Sequence, residues 1–197
     1  GGVFMRLLVH GKAAHSGGNF REGISAIGEL AHKIVALHAV TDLDRGTTVN
    51  VGLVSGGQSV NTVAPQAEAQ IDLRYVAPAD RADAMARIEA VVSAATLPGT
   101  TAELEVKGEF KPLVQDEGSK ALFETYRDAA RAVGLGVEGE FAGGCADSGF
   151  TASVGCPTVC AVGPIGGKAH SPDEYLEVDS VVPRAQAAAL AIARLGA

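Results

Sequence analysis

The sequence predicts a mixed α/β protein. Its first 112 residues follow a ferredoxin-like βαββαβ order, and residues 113–197 alternate helix with strand as half of an α/β layer. Three observations predict this. Four segments before residue 112 read as strands, most of them alternating apolar and polar residues with period two. Two segments between them carry apolar residues at three- and four-residue steps, the helical period. After Lys111-Pro112 the pattern changes and a glycine-rich loop enters.

The elements follow in order. VFMRLLV, residues 3–9, is a strand ending at His10-Gly11. REGISAIGELAHKIVALHAV is an amphipathic helix whose apolar stripe reads Ile24, Ile27, Ala31, Ile34, His38. TTVNVGLV sets Val49, Val51 and Leu53 against Thr48, Asn50 and Gly52, a half-buried strand. In QAEAQIDLRYV, residues Ala67, Ala69, Ile71, Leu73 and Tyr75 share one face, and Glu68, Gln70, Asp72 and Arg74 the other. Pro78 opens a second helix, as proline does in a first turn, with Met85, Ile88, Val92 and Ala95 inward. TAELEVKGEF turns Ala102, Leu104 and Val106 inward.

Beyond residue 112, DEGSKALFETYRDAARAVG is a helix with Leu122, Tyr126, Ala130 and Val133 in line. FAGGCADSGFTASVG is a loop entering a short helix that Asp147 is placed to cap. PTVCAVGP reads as a short buried strand, and the His170 loop follows it. Asp179 starts the last helix, with Pro183 in its first turn.

Composition excludes several functions. The net charge of -7 speaks against a nucleic-acid partner, because phosphate binding needs clustered Lys and Arg. No run of about 18 apolar residues is present to span a membrane. The start, GGVFMRLLVHGK, shows no signal peptide, so a cytoplasmic location is expected; Gly1-Gly2 reads as a cut inside a longer chain. Three cysteines, Cys145, Cys156 and Cys160, make no disulfide framework and no structural zinc site, and read as small buried thiols.

The candidate residues sit in loops or on a polar strand face. His170 follows a strand, where α/β folds place ligands, and imidazole suits a metal. His15, in GKAAHSGG, suits a proton donor or a donor to an oxyanion. Arg74 offers a fork for a carboxylate, or simply pairs with Asp72. Asn61 lies in a turn, where asparagine also serves as plain turn chemistry. The backbone N–H groups of Gly143 and Gly144 suit an anion. Cys145 with His170 or His15 would make a cysteine hydrolase, but no orienting third residue accompanies the pair. HExxH, His-x-Asp and Glu-Glu are all absent, while a catalytic zinc takes about three protein ligands.

Five runs in register resemble one family: GKAAHSGGNFREGISAI, SVNTVAP, IDLRY, GGCADSGF and GGKAHSPDEYLEVDS. They are similar to the second half of the dinuclear-zinc exopeptidases and deacylases, peptidase family M-20, with the bacterial glutamate carboxypeptidase branch closest. The resemblance implies that residues 1–112 are a lid or dimerisation domain. It implies that 113–197 are the C-terminal part of a zinc-exopeptidase catalytic domain whose N-terminal part is absent. His170 would be the last zinc ligand of a two-zinc site. His15 would be catalytic, reaching across a homodimer to hold the oxyanion. Asn61, Arg74, Gly143 and Gly144 would bind a small peptide or N-acyl amino acid. Lys111 stands where some members carry Arg, and Cys145 where small hydroxyl residues or glycine are familiar. The chain alone is expected to be inactive. A dimerisation or substrate-binding module without catalysis, and an N-acyl-amino-acid deacylase, are the alternatives.

Overall fold

A computed structural model describes residues 1–196 and divides them into two compact units. Gly1–Pro112 with Gly143–Ala146 make the first; Leu113–Ala142 and the described residues from Asp147 onward make the second.

In the first unit the chain runs β1 (Gly2–His10), α1 (Ala26–His38), β2 (Thr48–Gly56), β3 (Gln66–Arg74), α2 (Pro78–Ser93) and β4 (Thr101–Phe110). The sheet order is β2-β3-β1-β4, and every pair is antiparallel. This is the expected ferredoxin-like arrangement. Val3, Met5, Leu7 and Val9 of β1 and Ala67, Ala69, Ile71 and Leu73 of β3 bury one sheet face against Leu30, Leu37, Met85 and Ile88 of the helices. Strands with period-two patterning must put one residue set on that face, so the register follows from the sequence. Pro78 takes the first turn of α2, and the Asp80 carboxylate accepts the Ala77 N–H at 3.2 Å.

Three expectations for this unit change. The residues of α1 that face inward are Ala26, Glu29, Leu30, Lys33 and Leu37; Ile27 and Ala31 of the expected stripe face solvent. The helix is apolar on two faces, and pattern alone does not say which one the sheet takes. A register shift between Val51 and Leu53 in β2 swings Leu53 outward, opposite Gln70, because a bulge reverses the alternation beyond it; in β4 Val106 keeps its place opposite Met5 and is nonetheless half exposed on that edge strand. Helix α2 ends at Ser93, and Ala95 lies exposed beyond it.

Glu29 and Lys33 form a buried ion pair that the pattern conceals. They are 0% and 3% exposed, with Nζ 3.0 Å from the carboxylate. Nζ also donates to the carbonyls of Val91, Val92 and Ala94, which end α2. The carboxylate accepts the N–H groups of Thr96 and Leu97. The pair therefore ties α1 to the C-terminal end of α2 with its charges partnered.

The second unit holds α3 (Glu117–Ala132), α4 (Ser148–Ser153), a hairpin of β5 (Gly166–Gly167) and β6 (Tyr175–Leu176), and α5 (Val181–Leu195). Asp116 caps α3, its carboxylate accepting the Ser119 N–H at 2.7 Å. Helices α3 and α5 pack through Tyr126, Ala129, Ala130, Ala187 and Ala191. PTVCAVGP is not a strand: no described strand lies beside it to take its backbone groups. Asp147 makes no side-chain cap on α4, and Asp179 lies in a 3-10 turn before α5, with Pro183 in the first turn of that helix. The cysteines are not buried as a group: Cys145 is half-buried, and Cys156 and Cys160 are exposed. No helix among the described residues is long and apolar enough to cross a membrane.

Candidate functional site

Within the first unit the candidate residues gather at two opposite ends of the sheet. His15 and Asn61 stand beyond the end where β1 leaves and β3 enters. The Val63 N–H donates to Ala14 O at 2.9 Å, and the Ser16 N–H to Asn61 O at 3.0 Å, so the two loops are stitched together. The Asn61 side-chain oxygen accepts from the Ser59 hydroxyl at 2.8 Å. The imidazole of His15 is exposed, and its Nδ1 accepts the N–H groups of Gly17 and Gly18, each at 3.1 Å. The His15 N–H donates to Asn19 Oδ1 at 2.9 Å.

Arg74 closes the other end of β3, eight residues past Gln66, a separation of about 27 Å at the usual strand rise. Its Nε donates to Asp72 Oδ2 at 2.9 Å, its guanidinium lies 5.2 Å from the Phe4 ring centroid, and its Nη1 donates to Cys145 Sγ. The guanidinium is therefore held from three sides, and the pairing with Asp72 weighed from the sequence is present. Phe4 escaped the sequence reading, although an aromatic on the polar side of β1 was the signal for it. Gly143 and Gly144 belong to this unit beside Cys145 in the chain, and a side chain at either would meet no atom within 4 Å. Lys111 is engaged, its Nζ 2.8 Å from Glu109, which Arg81 also grips through a two-bonded fork. Burial alone would push the Glu109 carboxyl up; Arg81 and Lys111 outweigh it and hold it below the usual carboxylate range.

His170 belongs to the second unit, exposed in the loop joining β5 and β6, in the left-handed region at φ 64°. Among the described residues no group of three His, Cys, Asp or Glu side chains is placed to hold a metal ion. His170 suits one ligand, and the residues of this chain do not by themselves fit a zinc site, which takes about three.

The geometry resembles known proteins over its whole length. Residues 1–100 match the model of the M-20 peptidase dimerisation domain. An uncharacterised protein of Bacillus subtilis, YqjE, is 28% identical over 184 residues, 92% of this chain and 48% of its own length. The aminopeptidase PepT of Bacillus cereus shares 25% of its sequence and superposes with a TM-score of 0.74, covering 100% of this chain and 52% of PepT. A tripeptidase of Staphylococcus aureus, 24% identical, gives a TM-score of 0.76 over 97% of this chain and 50% of its own. The chain thus spans about half the length of the relatives it matches. With its first half matched by the dimerisation-domain model and its βαββαβ sheet intact, the chain belongs to the M-20 peptidase family.

Proposed function

We propose that this chain is the lid and part of the catalytic domain of a metal-dependent amide hydrolase, acting on short peptides or N-acyl amino acids that carry a free carboxylate. The separation of His15 with Asn61 from Arg74 within one unit carries this reading. Two half-sites so far apart do not converge on one small substrate inside one protomer. In a twofold dimer the His15 end of one copy serves the active site of the other. Arg74 then binds the substrate carboxylate through its fork, pre-set by Asp72 and Phe4. His15 donates to the oxygen that gains charge as the amide carbon becomes tetrahedral. Gly143 and Gly144 line the carboxylate pocket with backbone N–H groups. His170 is one metal ligand, and the rest of the two-zinc site lies on segments outside this chain. Zinc, when bound, supplies the activated water of such hydrolases. A glutamate carboxypeptidase and an N-acyl-amino-acid deacylase are the specific forms we favour, because both take a carboxylate beside the scissile amide.

The complete protein should hydrolyse N-acyl amino acids or short peptides, lose activity to a chelator and regain it with zinc. Arg74→Ala should raise KM for such substrates about 10- to 100-fold, the loss of a charge-assisted pair, and spare substrates whose carboxylate is amidated. Equal loss on both substrates would remove Arg74 from carboxylate binding.

The dimer we propose uses β2 and α1. Strand β2 is a sheet edge with no charged residue, and it exposes Leu53 (62%) and Val54. Strand β4, the opposite edge, carries Glu103, Glu105, Lys107 and Glu109, which discourage pairing. Beside β2, helix α1 shows Ile27, Ala31 and Val35 (73%) on one outer line. Val35→Asp should weaken self-association by at least about 2 kcal/mol, roughly thirtyfold in Kd, by sedimentation equilibrium. Unchanged association would move the interface elsewhere.

A further inference from the structure

His15 is held in a manner that its proposed role does not by itself require. Two successive backbone N–H groups, those of Gly17 and Gly18, both point at Nδ1 from 3.1 Å. A nitrogen that accepts two donors presents its lone pair and carries no proton. In a neutral imidazole the proton then sits on the other nitrogen. Nε2 makes no hydrogen bond to the described residues, and the residue is exposed.

The turn that aims these amides is itself fastened. Asn19 Oδ1 accepts the His15 N–H at 2.9 Å, and the Asn19 N–H returns to His15 O at 3.2 Å. The Asn19 side-chain amide donates to Glu22 at 3.2 Å, which fixes which end of that amide faces His15. The glycines are not there for want of space: a Cβ at Gly17 or Gly18 would come no closer than 3.6 Å to the ring, an ordinary contact. What the position supplies is the pair of amides, not the missing side chain.

We propose that the amides of Gly17 and Gly18, positioned by Asn19, fix His15 as the Nε2–H tautomer. The ring thereby meets its ligand as a hydrogen-bond donor to oxygen, and neither as a general base nor as a metal ligand through Nε2. The identity of that ligand as the developing oxyanion rests on the proposed function; the tautomer does not. Gly17, Gly18 and Asn19 are positioning residues, acting through His15. The two neutral histidine roles in the family reading thus divide cleanly: His15 gives a proton to a hydrogen bond, and a metal-bound His170 gives a lone pair.

The test is a long-range ¹H–¹⁵N correlation spectrum of the labelled chain at a pH where imidazole is neutral. The His15 ring signals are identified by their loss in His15→Gln. An excess of the Nε2–H form of at least about tenfold is expected, the worth of one or two hydrogen bonds. A dominant Nδ1–H form, or an evenly averaged ring, in the unaltered chain overturns the proposal. Gly18→Ala should leave the signature unchanged, since it keeps the amide. Asn19→Ala should shift it toward a mixture, and an unmoved signature there would remove Asn19 from the device. The outcome is separable from the oxyanion role. A locked tautomer with normal turnover in His15→Ala sinks the role alone; a mixed tautomer with lost turnover sinks the lock alone.

Discussion

His15→Ala in the complete protein is expected to lower kcat about 10²- to 10³-fold while KM changes little, the usual cost of one oxyanion donor. The side chain is exposed and packs on no core residue, so the change should leave folding intact. Its main-chain bonds to Asn19 remain in the variant. Steady-state kinetics on an N-acyl amino acid, with a thermal melt as the folding control, make the measurement. Because His15 serves the neighbouring copy in our reading, mixing His15→Ala with Arg74→Ala subunits should restore part of the activity. One of the two sites in such a heterodimer carries both intact residues. Near-normal turnover of His15→Ala alone, or no recovery on mixing the two impaired variants at substrate concentrations below the KM of Arg74→Ala, would end the across-dimer role.

The second large effect concerns stability. Lys33→Met should cost about 3–5 kcal/mol, because it strands a buried carboxylate and three helix-end carbonyls. The double change Glu29→Leu with Lys33→Met should cost less than Lys33→Met alone, since no buried charge is then left unpaired. Urea unfolding of the three forms checks both statements. The pair also sets a pH response. Burial alone would raise the Glu29 pKa, but the Leu97 and Thr96 N–H groups and the Lys33 ammonium outweigh it and hold it below its ordinary 4.5. A depressed folded pKa means the contribution is fully present above about 4.5 and is lost as the pH falls below that value. The unaltered protein should therefore lose stability on acidification from pH 5 to pH 3 more steeply than Glu29→Gln. Parallel curves would show that Glu29 is not held ionised by its partners.

The sequence by itself determined the βαββαβ order of the first unit. Its strands had to bury one face: Ala67 through Tyr75 have only one apolar face to bury, and in Val3 through Val9 Arg6 marks the outer side. It also determined Pro78 at the start of α2 and Asp116 at the start of α3, where local chemistry decides. The runs around His15, Asn61, Arg74 and His170 were legible as loops and strand ends suited to a site. Tertiary structure decided the rest. Helix α1 had two apolar lines, and packing chose Leu30 and Leu37 over Ile27 and Ala31, because Lys33 beneath that face reaches the open carbonyls of α2. The bulge that turns Leu53 outward arises between paired strands and leaves no mark in either strand alone. PTVCAVGP reads as a strand in isolation, yet a strand is a property of a pair, and no described strand lies beside it. The sequence likewise named Asn61 and Arg74 together. Only the register, with nine residues of β3 stretched between Gln66 and Arg74, placed Asn61 with His15 and Arg74 at the far end.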